Sequence, residues 1–178
     1  MLGLKLLGIH AIISLVQFLF MPAFFGIWQD NIIYQWVIGL LFIALFWLVI
    51  YADVSSRGSE DFRRGAFEYT KGFLAGIIAS IPLLVIYFAG LIYGYSDVSI
   101  NWFVTFLRIW LVPYTIVFSS FDDMILWIMP VTILMFPIVT GLSYMDGKRK
   151  RLRVNAVIEK AKALRIEKSK VSSQKNNK

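Results

Sequence analysis

The chain contains no cysteine and a single histidine, His10. Without thiols there can be no disulfide, Fe–S cluster, thiolate zinc site or cysteine nucleophile. With one imidazole, any site that needs two histidines is excluded, and His10, inside an apolar run, reads as a packed polar residue with a backbone or water partner. Charge is sparse as well: Asp, Glu, Lys and Arg make up 16% of the 178 residues, against 58% hydrophobic residues. The strict apolar–polar alternation of barrel strands is missing. So are a Gly-rich phosphate loop, a metalloprotease helix and a nucleophile elbow, since Gly141-Leu142-Ser143-Tyr144 lacks the second glycine.

What is present is apolar sequence in long blocks, with a mean hydropathy of +0.70. Blocks at 6–28, 32–52, 72–93 and 124–145 each hold the ~20 residues with which a helix crosses ~30 Å of hydrocarbon. In that solvent every backbone polar group must be satisfied within the segment, so helices are expected. Lys5 before an apolar run resembles a signal peptide, but the run is too long and no small-x-small cleavage site follows, which predicts a retained helix. Trp28, Tyr34 and Trp36 flank the first connection, and Tyr93, Tyr95 and Trp102 follow the third block, as expected at headgroup level.

The net charge of +7 is a tail property. Residues 145–178 hold 12 Lys/Arg and 3 acids, whereas residues 1–144 hold 6 Lys/Arg and 8 acids. Bases placed directly beside a span speak for topology and anionic lipid, and nucleic acid is set aside. Lys148, Arg149, Lys150, Arg151 and Arg153 form the stop-transfer cluster and the expected contact with anionic headgroups. Beyond them Val154, Val157, Ile158, Ala161 and Leu164 recur at helical spacing among bases, which predicts a basic amphipathic helix; residues 172–178 are expected to be disordered. The division is a transmembrane domain over 1–147 and a basic cytoplasmic tail over 148–178.

The connection 53–71 balances four bases with four acids. Ser59 followed by Glu60 and Asp61 predicts the start of a short amphipathic helix leading into span three. Glu60/Arg64 and Arg64/Glu68 are spaced for i,i+4 pairs. Residues 100–121 are long enough to cross but carry Arg108 at their centre, which costs about 3 kcal/mol on the insertion scale and is offset by the surrounding apolar residues. Charge parity decides the matter. The tail and the 53–71 connection both belong in the cytoplasm, so an even number of crossings separates them, and spans three and four supply it. The segment is therefore expected to dip into or lie along the outer leaflet as a helix over about 100–119, broken at Pro113, with Asn101, Thr105, Arg108, Thr115 and Ser119 on one stripe.

The expected fold is thus all-α: about four transmembrane helices, an outer-leaflet interfacial or re-entrant helix and a cytoplasmic basic C-terminal helix, with both termini inside. The composition, leaning to Lys, Asn and Ile, suits a low-GC bacterium, and the expected location is its cell membrane.

Arg108, Asp122 and Asp123 are the candidate functional or pairing residues, because charge near apolar surroundings needs a partner. No metal site is expected from the adjacent Asp122 and Asp123, which point about 100° apart on a helix. Gly72, Ala75, Gly76, Ala79 and Ser80 form a small-residue stripe suited to close helix packing, within the protomer or between copies. Pro130 and Pro137, seven apart in span four, either free carbonyls for a transport site or sit in a curved helix whose backbone is locally re-satisfied.

Three functional readings remain. The first is a non-enzymatic accessory or scaffold subunit of a membrane complex that meets a membrane-protein partner or its own copy. The second is a small-solute or ion transporter acting as an oligomer, and the third a lipid-modifying enzyme. None calls for a cofactor.

Overall fold

The computed structural model describes residues 2–27, 31–93, 102–121 and 124–176, with the side chains of Phe25, Ile27, Tyr93 and 167–176 set aside. Every regular element among the described residues is helical. Helix α1 spans Leu2–Ile27, α2 Ile32–Arg63, α3 Lys71–Tyr93, α4 Trp102–Trp110, α5 Thr115–Ser120 and α6 Ile125–Asn176, with a 3-10 turn at Val112–Tyr114 between α4 and α5. Four of these helices, α1, α2, α3 and α6, are long and apolar enough to span a membrane. Asn101, Asp122, Asp123, Trp28 and Tyr95 lie outside the described residues.

Apolar side chains cover the outside of the bundle as well as its core, and several polar ones are buried. Ile12, Leu19, Ile33, Leu48, Val85 and Trp127 stand outward, while His10, Ser14, Gln17, Ser80, Thr132 and Thr140 are buried. Helix α1 turns Leu6, His10, Ser14, Gln17 and Met21 inward, a stripe at three- and four-residue spacing. Helix α2 does the same with Phe42, Phe46, Ile50, Val54 and Gly58.

Helices α3 and α6 run antiparallel in a continuous register. Thr140 Oγ1 lies 3.2 Å from the Gly72 carbonyl, Ser80 Oγ donates to the Ile133 carbonyl at 3.4 Å, and Tyr87 OH donates to the Leu126 carbonyl at 2.7 Å. The end of α3 and the start of α6 therefore sit at the same end of the bundle. The chain between them, which includes segment 100–121, thus begins and ends at the same end of the bundle. That segment is bent by 90° between its two helical halves. Pro113 sits in the 3-10 turn at the bend, because its ring denies the helix a donor and crowds the preceding turn.

The structure departs from expectation at 53–71. No helix begins at Ser59; α2 instead continues from the apolar block through Arg63 without interruption. The reason is a close crossing with α6. A Cβ on Gly58 would collide with the Tyr144 backbone, and one on Gly147 would collide with the Ser55 carbonyl, so the two backbones touch through glycine. This packing holds the last turns of α2 helical, and the chain reverses only at Gly65, whose φ of 72° is accessible to glycine. Glu60 pairs with Arg64 at 2.5 Å, as the spacing predicts. The tail likewise continues α6 with no break, and helix extends through Asn176 where disorder was expected.

Candidate functional site

Apart from Arg108, the described charged residues that precede the tail gather at one end. Lys5 pairs with Asp53, Tyr51 OH donates to Asp146 at 2.5 Å, and Asp61 accepts from Lys71 Nζ at 2.5 Å and from Tyr144 OH at 2.6 Å. Asp61 lies beyond the apolar stretch of α2. Burial there works against ionisation, but the bonds from Lys71 and Tyr144 outweigh it and hold the carboxyl below its usual range. Lys148, the first base of the tail, sits in an aromatic cage, with its ammonium 5.7 Å, 5.2 Å and 4.5 Å from the ring centres of Phe62, Phe67 and Tyr69. Lys150 lies 4.4 Å above the Tyr51 ring and 3.7 Å from Asp146. Two of the five bases singled out for headgroup contact are thus engaged by the protein, while Arg149 and Arg153 are exposed and Arg151 is half-buried.

The small-residue stripe of α3 is occupied inside the protomer. A Cβ on Gly72 would fall 2.5 Å from the Tyr144 Cβ, and one on Gly76 would fall 2.5 Å from the Pro137 Cα. Ser80 is buried in the same seam, and Ala75, whose carbonyl lies against Gly3 of α1, and Ala79 are buried as well. The prolines of α6 meet this seam. Each proline lacks the N–H that would bond the carbonyl four residues earlier, which frees the carbonyls of Leu126 and Ile133. These are the two carbonyls that Tyr87 and Ser80 bond. The hydroxyls are seven residues apart on α3 and the prolines seven apart on α6, so one register satisfies both defects. The helix remains continuous and those carbonyls are not presented to a solute.

At the opposite end lies the broken pair α4–α5. Its tip, Leu111 to Tyr114, is buried, and Ser14 Oγ donates to the Trp110 carbonyl at 2.6 Å. Ser14 is midway along α1, so the hairpin penetrates to half the depth of the bundle. Around the tip His10 stacks on Phe136 at 5.2 Å and packs against Phe46 at 4.9 Å and Trp110 at 6.0 Å. Both ring nitrogens of His10, Trp110 Nε1, Tyr114 OH and Gln17 Oε1 have no hydrogen-bond partner among the described residues.

Above the tip the hairpin opens on a cavity of ≈ 500 Å³. Thr105, Arg108, Thr115 and Ser119 line it, the same polar stripe read from helical spacing, with Val112 at the bend. Phe18, Met21 and Pro22 of α1 and Gln35 of α2 complete the wall. The sequence marks the stripe but not Gln35, whose part depends on where α2 begins relative to the hairpin. Asp122 and Asp123 cannot be placed against Arg108, since they lie outside the described residues. Among those residues no group of three His, Asp or Glu is arranged to hold a metal ion. Comparison with protein-family models, with curated proteins and with solved structures finds no match for this chain.

Proposed function

We propose that the chain is an integral four-pass membrane protein, with both termini and the charged end in the cytoplasm and the α4–α5 hairpin re-entering from the outer leaflet, and that it serves as a non-enzymatic scaffold subunit. The observation that carries this reading is the tail. Every residue from Leu152 to Ile166 is exposed, on a helix that continues α6 without a break. Val154, Val157, Ile158 and Leu164 form its apolar stripe among bases. A helix whose exposed stretch from Leu152 to Ile166 runs about 22 Å and keeps an uncovered apolar stripe is suited to dock into a groove. The surrounding bases select an acidic cytosolic partner, and the cage around Lys148 fixes the direction in which the helix leaves the bundle.

The test is cross-linking in native membranes followed by affinity purification. An acidic protein is expected to co-purify and to be lost when Val157 and Leu164 are both changed to Asp. A solubilised protein that runs alone and monodisperse, with no partner from native membranes, overturns the proposal.

A second reading, a solute transporter, draws support from the 90° break reaching mid-bundle, where irregular backbone can line a pathway. Flux into proteoliposomes that is abolished by Arg108→Ala would favour it; flux indifferent to that change would discard it.

A further inference from the structure

The cavity of the hairpin carries a chemistry separate from tail docking. We infer that it is a binding site for one phospholipid of the outer leaflet whose headgroup bears a hydrogen-bond donor beyond its phosphate, such as an ethanolamine or a glycerol group. The argument rests on what each wall offers an occupant.

Arg108 lines the cavity and is the only Lys or Arg between Lys71 and Lys148. A guanidinium carries a permanent positive charge and five N–H donors in a fixed fork, a geometry that suits a phosphate. The hydroxyls of Thr115 and Ser119, which also line the cavity, have the reverse polarity. Thr115 Oγ1 donates to the Val112 carbonyl at 2.7 Å, and Ser119 Oγ donates to the Ile116 carbonyl at 3.1 Å. Their protons are directed into the backbone of the hairpin, so toward the cavity they present lone pairs and act as acceptors. An occupant must therefore pair an anionic acceptor with a donor group a short distance away.

Apart from Thr105 and Gln35, the rest of the wall is apolar. Phe18 and Met21 of α1 close one side, and Phe106 and Ile109 are exposed on the outer face of α4 beside Arg108. A free phosphoester would leave this surface unused, whereas a lipid covers it with its chains. The volume of ≈ 500 Å³ accommodates a headgroup and glycerol, with the acyl chains continuing along the exposed apolar faces of α1 and α4. The hairpin enters only to mid-bundle, so the site belongs to one leaflet.

The experiment is native mass spectrometry of the full chain released from nanodiscs containing equal amounts of phosphatidylethanolamine, phosphatidylglycerol and phosphatidylcholine. One bound lipid is expected, ethanolamine or glycerol in type and depleted in choline. Arg108→Gln should lower its occupancy by about tenfold, the effect of losing a charge-assisted hydrogen bond. Thr115→Val combined with Ser119→Ala should retain a lipid but abolish the discrimination against choline, a readout that loss of fold would not produce. Size-exclusion profiles identical to wild type show that both variants are folded. Equal retention of the choline lipid by wild type overturns the inference, as does full occupancy in Arg108→Gln. Displacement of the lipid by millimolar glycerol phosphate would assign the site to a soluble phosphoester and also overturn it. Co-purification of a tail partner is independent of every one of these outcomes.

Discussion

The α3–α6 seam and the seat of the α4–α5 hairpin both place polar groups inside an apolar bundle, and they treat them differently. In the seam the hydroxyls find acceptors: Ser80 and Tyr87 bond the carbonyls freed by Pro137 and Pro130, and Thr140 sits 2.9 Å from the Phe136 carbonyl. Around the hairpin tip His10, Trp110, Tyr114 and Gln17 keep polar atoms that no described residue bonds. An unmade buried hydrogen bond costs more than a made one contributes. The seam is therefore the part that holds the fold, and the hairpin seat retains groups that stability does not explain.

The largest effect that would break this contrast is steric. Gly76→Leu drives a side chain into Pro137 and Thr140, and should lower stability by about 3 kcal/mol, read as a large fall in Tm in detergent; a Tm near wild type would mean the seam is not close-packed. Next comes the pairing of hydroxyl and proline. Tyr87→Phe leaves the Leu126 carbonyl unbonded and should cost about 1 kcal/mol. In a Pro130→Ala background residue 130 regains its N–H, the carbonyl recovers its helical partner, and the same change should cost almost nothing. Equal costs in both backgrounds, measured by a double-mutant cycle, would refute the account.

The hairpin seat predicts the opposite sign. His10→Phe replaces two unbonded nitrogens by carbon between the rings of Phe46 and Phe136, and should leave Tm unchanged or raise it slightly. A marked fall would reveal a hydrogen bond that matters.

The smallest effect concerns the charged end. The Asp61 carboxyl is held below its usual range, so its contribution is present above the unfolded value of about 3.9 and disappears as pH falls through the lower folded value. Thermal melts of Asp61→Asn should be slightly less stable than wild type at neutral pH. The gap should close at strongly acid pH, and a gap independent of pH would rule out this titration as its source.

The parts legible in the sequence are those set by local chemistry. The four apolar blocks are four long helices because length and hydropathy act within one segment. The break at Pro113 follows from the proline ring itself, and the polar stripe of Thr105, Arg108, Thr115 and Ser119 lines one cavity. The 53–71 connection and the start of the tail lie at one end of the bundle. The reading of a helix start at Ser59 fails because it treats the residue in isolation, whereas α2 is carried through Arg63 by its glycine contact with α6.

By itself the sequence determined that this chain is helical, apolar in four blocks and basic at its end, because each of these follows from the solvation of single segments. Only the tertiary structure decided which groups meet. It matched Ser80 and Tyr87 to the two prolines of α6, placed Lys148 in an aromatic cage, and turned a stripe with a central arginine into the wall of a cavity. Such pairings depend on the relative register of helices far apart in the chain, which no local pattern encodes.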